Sequence, residues 1–239
     1  MLILSDVTEL RRLETVRRDF VANVSHELRT PVSVIRANAE TLMDGAFDDA
    51  ERARVFLEAL HRNAERLSSI ITDLLDLSRI ESGRMVLDVK IESIAGVVRR
   101  AVEMVEKNAR AKSQSINVSV AADLEARCDA KALEQVLMNL LDNAVKYTPS
   151  GTRIEIGALA AANRVRIEVR DNGPGIDPKH RSRIFERFYR VDPGRSRDMG
   201  GTGLGLAIVK HLVEAMGGEV RAEMNEPSGS IFLVLLPLN

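Results

Sequence analysis

The chain has 239 residues, of which 45% are hydrophobic and 29% charged, and its formal net charge is −1. That length suits one or two domains with cores of their own, and the near-zero charge gives no case for nucleic acid or an anionic membrane surface. With 3% aromatic residues and no Trp, the composition weighs against base-stacking recognition of nucleic acid, and no apolar run approaches the ~20 residues of a membrane span.

The predicted elements follow in chain order. Residues 1–7 read as a short apolar strand, too little to be stable alone, so an upstream domain is expected to precede it. From Thr8 a helical pattern runs to about Met43, with Leu10, Leu13, Val16 and then Phe20, Val21, Val24, Leu28, Val32 and Ile35 in 3–4 spacing. Asp44–Asp48 is a turn, with Gly45 ending the helix. A second long pattern, from Phe56 through Leu60, Leu67, Ile70, Leu74 and Leu77, ends near Ser82–Gly83. Two long helices joined by a short turn pack antiparallel. Such a hairpin has too little surface to bury its own stripe, so it is expected to pair with a second copy as a four-helix bundle.

After Gly83 the period changes. Met85, Leu87, Val89 and Ile91 alternate with polar residues and predict a strand. A helix from Ile94 to about Ala111, a strand at 116–120 and a helix from Ala130 to Lys146 follow. Further strands are expected at 153–156, 165–170, 219–224 and 231–235, with two helices between the second and third of these. This order predicts an α/β sandwich, helices on one face of a mixed or mostly antiparallel sheet. The expected domains are 1–7 (remnant of an upstream sensor), 8–83 and 84–239. The single cysteine, Cys128, permits no internal disulfide, fits a reducing compartment and reads as a packing residue.

Chemistry-bearing residues cluster in two places. On the first helix, His26 lies opposite the apolar stripe and points to solvent, with Glu27 beside it and Thr30 one turn on. Pro31 removes a backbone donor, so the helix is expected to bend there. Taken alone, an exposed histidine beside a glutamate is ordinary helix surface. On the 130–146 helix, Asn139, Asp142, Asn143 and Lys146 share a face. Amide oxygens there suit a hard cation that also has phosphate and water as ligands, and a lysine suits phosphate; a solvated polar face is the plain alternative. Asp171-Asn-Gly-Pro-Gly-Ile176 follows a strand and is either a contact to a ligand's polar edge or a tight turn. Gly200-Gly-Thr-Gly-Leu-Gly-Leu206 leads into an apolar helix, where glycines let backbone N–H groups approach phosphate. It is neither a Walker loop nor a dinucleotide fingerprint. The polar stretch 192–198 before it is the expected lid.

In this order the motifs resemble those of the bacterial two-component sensor histidine kinases. Ser25-His26-Glu27-Leu28-Arg29-Thr30-Pro31 is similar to the phosphoacceptor box. Asn139 to Thr148 resembles the asparagine box, Asp171 to Ile176 the first glycine box, Ile184 to Arg190 the phenylalanine box, and Gly201 to Gly205 the second glycine box. The likeness covers about residues 8–239. More weakly, residues 1–8 resemble the last strand and exit of a PAS-type sensor, as in phosphate-responsive kinases.

The resemblance implies a dimerisation and phosphotransfer hairpin followed by an ATP-binding α/β sandwich of the gyrase, chaperone, histidine kinase and MutL type. It implies that His26 takes the γ-phosphoryl of ATP, that Glu27 assists it, and that Thr30 assists dephosphorylation of a response regulator. Asn139 and Asn143 would hold Mg²⁺, Lys146 would contact phosphate, and Tyr147 would pack near the adenine. Asp171 would accept from the adenine amino group, Gly173 and Gly175 would admit the base, and Gly201, Thr202, Gly203, Leu204 and Gly205 would shape the lid. The ATP domain would swing about a joint near Ser82–Gly83, and the phosphoryl group would pass from His26 to an aspartate of a response regulator. This segment is expected in the cytoplasm, with an inner-membrane anchor in a longer protein left open. Two other readings compete: another ATPase of the same superfamily, which has no need of the His26 hairpin, and a dimeric scaffold that binds nucleotide without catalysis.

Overall fold

The computed structural model describes residues 8–192, 194 and 201–238. The expected strand at 1–7 and most of the expected lid lie outside them. The chain divides into two compact units, residues 1–74 and 75–239, and the division falls within the second helix.

The first unit is an antiparallel hairpin of α1 (Thr8–Met43) and most of α2 (Ala50–Glu81), joined by a turn of 3-10 helix at Ala46–Asp48. Asp49 starts α2: its Oδ1 accepts the backbone N–H groups of Glu51 (3.0 Å) and Arg52 (3.2 Å), satisfying donors that a helix start leaves orphaned. Leu42, Ala46 and Ala53 are buried where the helices meet the turn, and Phe56 and Leu60 pack against them. α1 continues through Pro31 as one helix, with Pro31 buried. Much of the apolar stripe is not covered within the hairpin: Val21 is 56% exposed, Val32 49% and Leu57 47%.

The second unit is a two-layer sandwich. Its sheet has the order β2 (Ser115–Val120), β4 (Arg153–Ala161), β5 (Arg164–Asp171), β7 (Ser230–Pro237), β6 (Glu219–Met224). β2 and β4 run parallel and the other pairs antiparallel, with Ile154 opposite Asp171 and Val169 opposite Phe232. α3 (Ile94–Ala111), α4 (Ala130–Tyr147) and α6 (Gly205–Ala215) supply the helical layer; α5 (Pro178–Arg181) is a single turn. The core forms where alternate residues of the strands (Ile154, Ile156, Val165, Ile167, Val169, Val234, Leu236) meet the apolar stripes of the helices (Val98, Ala101, Leu133, Leu137, Leu140, Leu141, Ile208, Leu212), all 3% exposed or less. At ~1.5–3 kcal/mol per large aliphatic side chain, this burial is the unit's main stabilising contribution. Caps fix the helix starts: Ser93 Oγ accepts from Gly96 N–H, and Asp129 Oδ1 from Lys131 and Ala132 N–H.

One local expectation is corrected, and one strand is new. The alternating stretch from Met85 forms a strand only at β1 (Lys90–Ser93); residues 84–89 are irregular. Its partner is an unexpected short strand, β3 (Glu125–Cys128), antiparallel with Lys90 opposite Cys128. Cys128 is wholly buried and desolvation pushes its thiol up to about 12, so it packs as an inert apolar residue. None of the described helices is long and apolar enough to cross a membrane.

Candidate active site

On α1 the imidazole of His26 is 58% exposed, while the carboxylate of Glu27, the next residue, is 9% exposed. The hundred-degree step between neighbours on a helix separates them: one faces solvent, the other the α1–α2 seam. There Arg66 of α2, 39 residues away in sequence, places Nη2 3.1 Å from Glu27 Oε2. The other carboxylate oxygen lies 4.0 Å from His26 Nδ1, beyond hydrogen-bond reach but close enough for its charge to be felt. Nδ1 therefore faces the carboxylate, and Nε2 is the ring nitrogen turned away from it. Thr30 donates its hydroxyl to the His26 carbonyl oxygen at 3.1 Å, tying the residues of this turn together.

In the second unit, α4 turns its apolar face to the sheet and leaves Asn139, Asp142, Asn143, Lys146 and Tyr147 half-buried. Lys146 Nζ pairs with Asp142 Oδ2 at 2.7 Å. The oxygen of Asn139 meets the start of α6, 3.2 Å from where a Cβ on Gly205 would sit. The asparagine motif and the second glycine motif, more than sixty residues apart, are thus in contact.

Asp171 ends β5 and is 6% exposed. Burial raises its carboxyl above the ordinary value; the N–H groups of Gly173 (2.8 Å) and Ser230 (3.3 Å), both donating to Oδ1, oppose this. A buried carboxylate with one oxygen held by two backbone donors presents the other as a fixed acceptor. Its main chain is held as well, since Asn225 Nδ2 donates to Asp171 O at 2.8 Å. Gly173 has room for no side chain: a Cβ there would fall 2.6 Å from Thr148 Cγ2 at the end of α4.

The phenylalanine motif supports the second glycine motif. Phe188 has φ 60°, a strained value for a non-glycine residue, and its N–H donates to Gly203 O at 2.8 Å. A Cβ on Gly203 would lie 2.9 Å from Phe188 Cα. Arg190 Nη2 donates to Gly201 O at 2.6 Å. Thr202 is buried, its Oγ1 accepts from Leu204 N–H at 3.2 Å, and Leu204 is wholly buried beneath it.

The structure thus brings together Asn139 with Gly205, Asp171 with Gly173, and Gly201 and Gly203 with the phenylalanine motif, in one unit. His26, Glu27 and Thr30 form a separate group on α1. Arg66, Asn225, Ser230 and Gly229 join these sites without any signal in the motifs. Arg66 could have been suspected from its basic head within an apolar helical stripe; the β6–β7 turn gave none.

Similarity to known proteins follows the same division. Residues 16–83 match the His Kinase A (phospho-acceptor) domain, and residues 128–239 the family described as histidine kinase-, DNA gyrase B- and HSP90-like ATPase. The sensor-like histidine kinase SenX3 of Mycolicibacterium smegmatis is 38% identical over 98% of the chain, which spans 61% of that relative's length. Among solved structures, the mycobacterial sensor histidine kinase MprB is 31% identical with a TM-score of 0.55, over 62% of this chain and 97% of that one. Histidine kinase ThkA, solved in complex with response regulator protein TrrA, is 25% identical with a TM-score of 0.75, over 98% of this chain and 68% of that one.

Proposed function

Because the chain belongs to the two-component sensor histidine kinases, we propose that it uses ATP to phosphorylate His26 and passes the phosphoryl group to an aspartate on a response regulator. The observation that carries this reading is the arrangement on α1: an exposed imidazole whose Nδ1 faces a buried, Arg66-paired carboxylate. A scaffold that only bound nucleotide would have no use for it.

In the transfer step, the Nε2 lone pair of His26 attacks the γ-phosphorus of ATP, the bond to the β–γ bridging oxygen breaks, and ADP leaves. The ring becomes cationic as the N–P bond forms. Glu27 lies beside Nδ1, where that charge develops, and Arg66 holds the carboxylate in place. Phosphoryl transfer asks mainly for positioning and charge neutralisation. Asp171 would accept a hydrogen bond from the adenine amino group, and Tyr147 would pack against the base. Lys146 would contact the phosphates, with Gly201, Thr202, Gly203, Leu204 and Gly205 shaping the wall around them, and Gly173 and Gly175 giving the base room. Mg²⁺, when bound, neutralises the triphosphate; Asn139 and Asn143 would hold it, and the neutral oxygen of Asn139 beside the α6 start is a donor suited to a hard cation that has phosphate as a further ligand.

The reading extends to a domain division at 83, with 8–83 as the dimerisation and phosphotransfer domain and 84–239 as the ATP-binding domain. A homodimer is supported by the exposed apolar stripe of the hairpin. A response-regulator receiver domain as partner is supported by the ThkA–TrrA complex. Thr30, on the turn that carries His26, is the residue proposed for phosphatase action on that regulator. An upstream sensor and a cytoplasmic location of this segment complete the proposal.

The test is labelling with γ-labelled ATP and Mg²⁺, alongside ATP titration. Wild type is expected to bind ATP and retain acid-labile, base-stable label; His26→Gln to bind ATP without label; Asp171→Asn to lose both. Tight ATP binding with no label on the wild-type chain would favour the scaffold instead.

A further inference from the structure

α4 ends at Tyr147, and the last carbonyls of any helix lack intrahelical donors. Two side chains from the segment between α3 and β2 supply them. Lys112 Nζ donates to the carbonyl oxygens of Val145 (2.6 Å), Lys146 (3.1 Å) and Thr148 (2.8 Å). Gln114 Nε2 faces the oxygens of Val145 (3.2 Å), Thr148 (3.4 Å) and Pro149 (3.1 Å), and also Thr148 Oγ1 (2.9 Å). Thr148 completes the knot by donating its hydroxyl to Ala144 O at 2.7 Å. Gln114 is 7% exposed and Thr148 3%. The ammonium sits at the negative end of the helix, where a cation is favoured.

The carbonyls gathered here belong to functional residues or their neighbours. Lys146 and Tyr147 form the last turn. Thr148 fills the space where a Cβ on Gly173 would lie, and Gly173 N–H is one of the two donors on the Asp171 carboxylate. Loosening the end of α4 therefore frees the turn that orients Asp171. Lys112 and Gln114 lie in none of the five motifs.

We propose that Lys112 and Gln114 are positioning residues for nucleotide binding: together they lock the end of α4 so that Lys146, Tyr147 and Thr148 are preset around the Asp171 turn. The proposal rests on the ATP reading of this site. A cap that served only the fold would set the melting temperature and leave the affinity of folded protein unchanged. A positioning cap changes the affinity itself, because ligand binding must then order the loop.

The experiment is calorimetric titration of ATP with Mg²⁺ into the full chain, well below each melting midpoint, for wild type, Lys112→Met, Lys112→Arg and Gln114→Ala, with KM and kcat for autophosphorylation alongside. Lys112→Met and Gln114→Ala should each bind ATP about tenfold more weakly, the factor that 1.4 kcal/mol represents, and raise KM more than they lower kcat. Lys112→Arg should recover part of the affinity. If Lys112→Met does not fold, Gln114→Ala and Lys112→Arg carry the comparison. Lowered melting temperatures with wild-type ATP affinity would overturn the proposal while leaving the site's reading intact. A folded wild type that binds no ATP would overturn the reading of the site, and the proposal with it.

Discussion

Gly229, in the β6–β7 turn, sits against the backbone that carries Asp171. Its φ is +120°, and a Cβ there would fall 1.9 Å from Asp171 O and 2.9 Å from Asn172 Cα. Gly229→Ala therefore incurs two costs. The backbone conformation, disfavoured for any L side chain, costs ~1–3 kcal/mol. The overlap is with main chain that has no rotamer to change, and overpacking of this kind adds a further ~1–3 kcal/mol. Gly217→Ala separates the two: it also has positive φ (+74°), but its Cβ would meet only Pro237 Cγ at 3.7 Å, an ordinary contact. Urea unfolding of both variants, with slopes compared as well as midpoints, and ATP titration of the folded proteins give the readout. Gly229→Ala should be less stable than Gly217→Ala by more than about 1 kcal/mol and should bind ATP more weakly, since relief of the overlap separates this turn from the Asp171 main chain it packs against. Equal stability with wild-type ATP affinity would show that this turn does not buttress Asp171.

Three further outcomes are expected. Ala162 turns the β4–β5 hairpin with φ 53°, so Ala162→Gly should stabilise by about 0.5–1 kcal/mol, the relief of left-handed strain less the entropy of glycine; a lower melting temperature would contradict this. Removing the cation beside a carboxylate only 9% exposed, Arg66→Met should cost ~3–5 kcal/mol at fixed protein concentration, and adding Glu27→Gln should recover much of it; independent, additive effects in this double-mutant cycle would rule out the pairing. Burial raises the Asp171 carboxyl above 3.8, so between 3.8 and that higher value the folded chain holds a proton the unfolded chain has released. Asp171 therefore makes stability fall as pH rises through this window, while ATP affinity rises with pH as the acceptor ionises. Asp171→Asn should remove that slope from unfolding curves; an unchanged slope would show that Asp171 is not the group responsible.

Most of the fold was legible because local period and caps agree with it. The helices at α3 and α4 begin where Ser93 and Asp129 cap them, and the strand alternation of β4 through β7 matches the face that meets the helices. The stretch at Met85 misled because alternation makes a strand only where a partner exists; its partner, β3, has four residues and buries only Ala126 and Cys128, too small to signal. The residues proposed for the site can be picked out one by one, since each motif is local. What binds them was not. Arg66 reaches Glu27 across 39 residues, Lys112 and Gln114 reach the end of α4 across more than thirty, and Asn225 reaches Asp171 across 54. No periodicity encodes such juxtapositions; they follow from how the hairpin and the sandwich close.

The central claim is that His26 is the group phosphorylated, and through Nε2. Locating the phosphoryl group on the ATP-treated protein by phosphorus NMR, with peptide mapping under basic conditions, tests this directly. The account predicts one phosphohistidine, at His26, on the nitrogen turned away from Glu27. Phosphate on Nδ1, or on any residue other than His26, would contradict it.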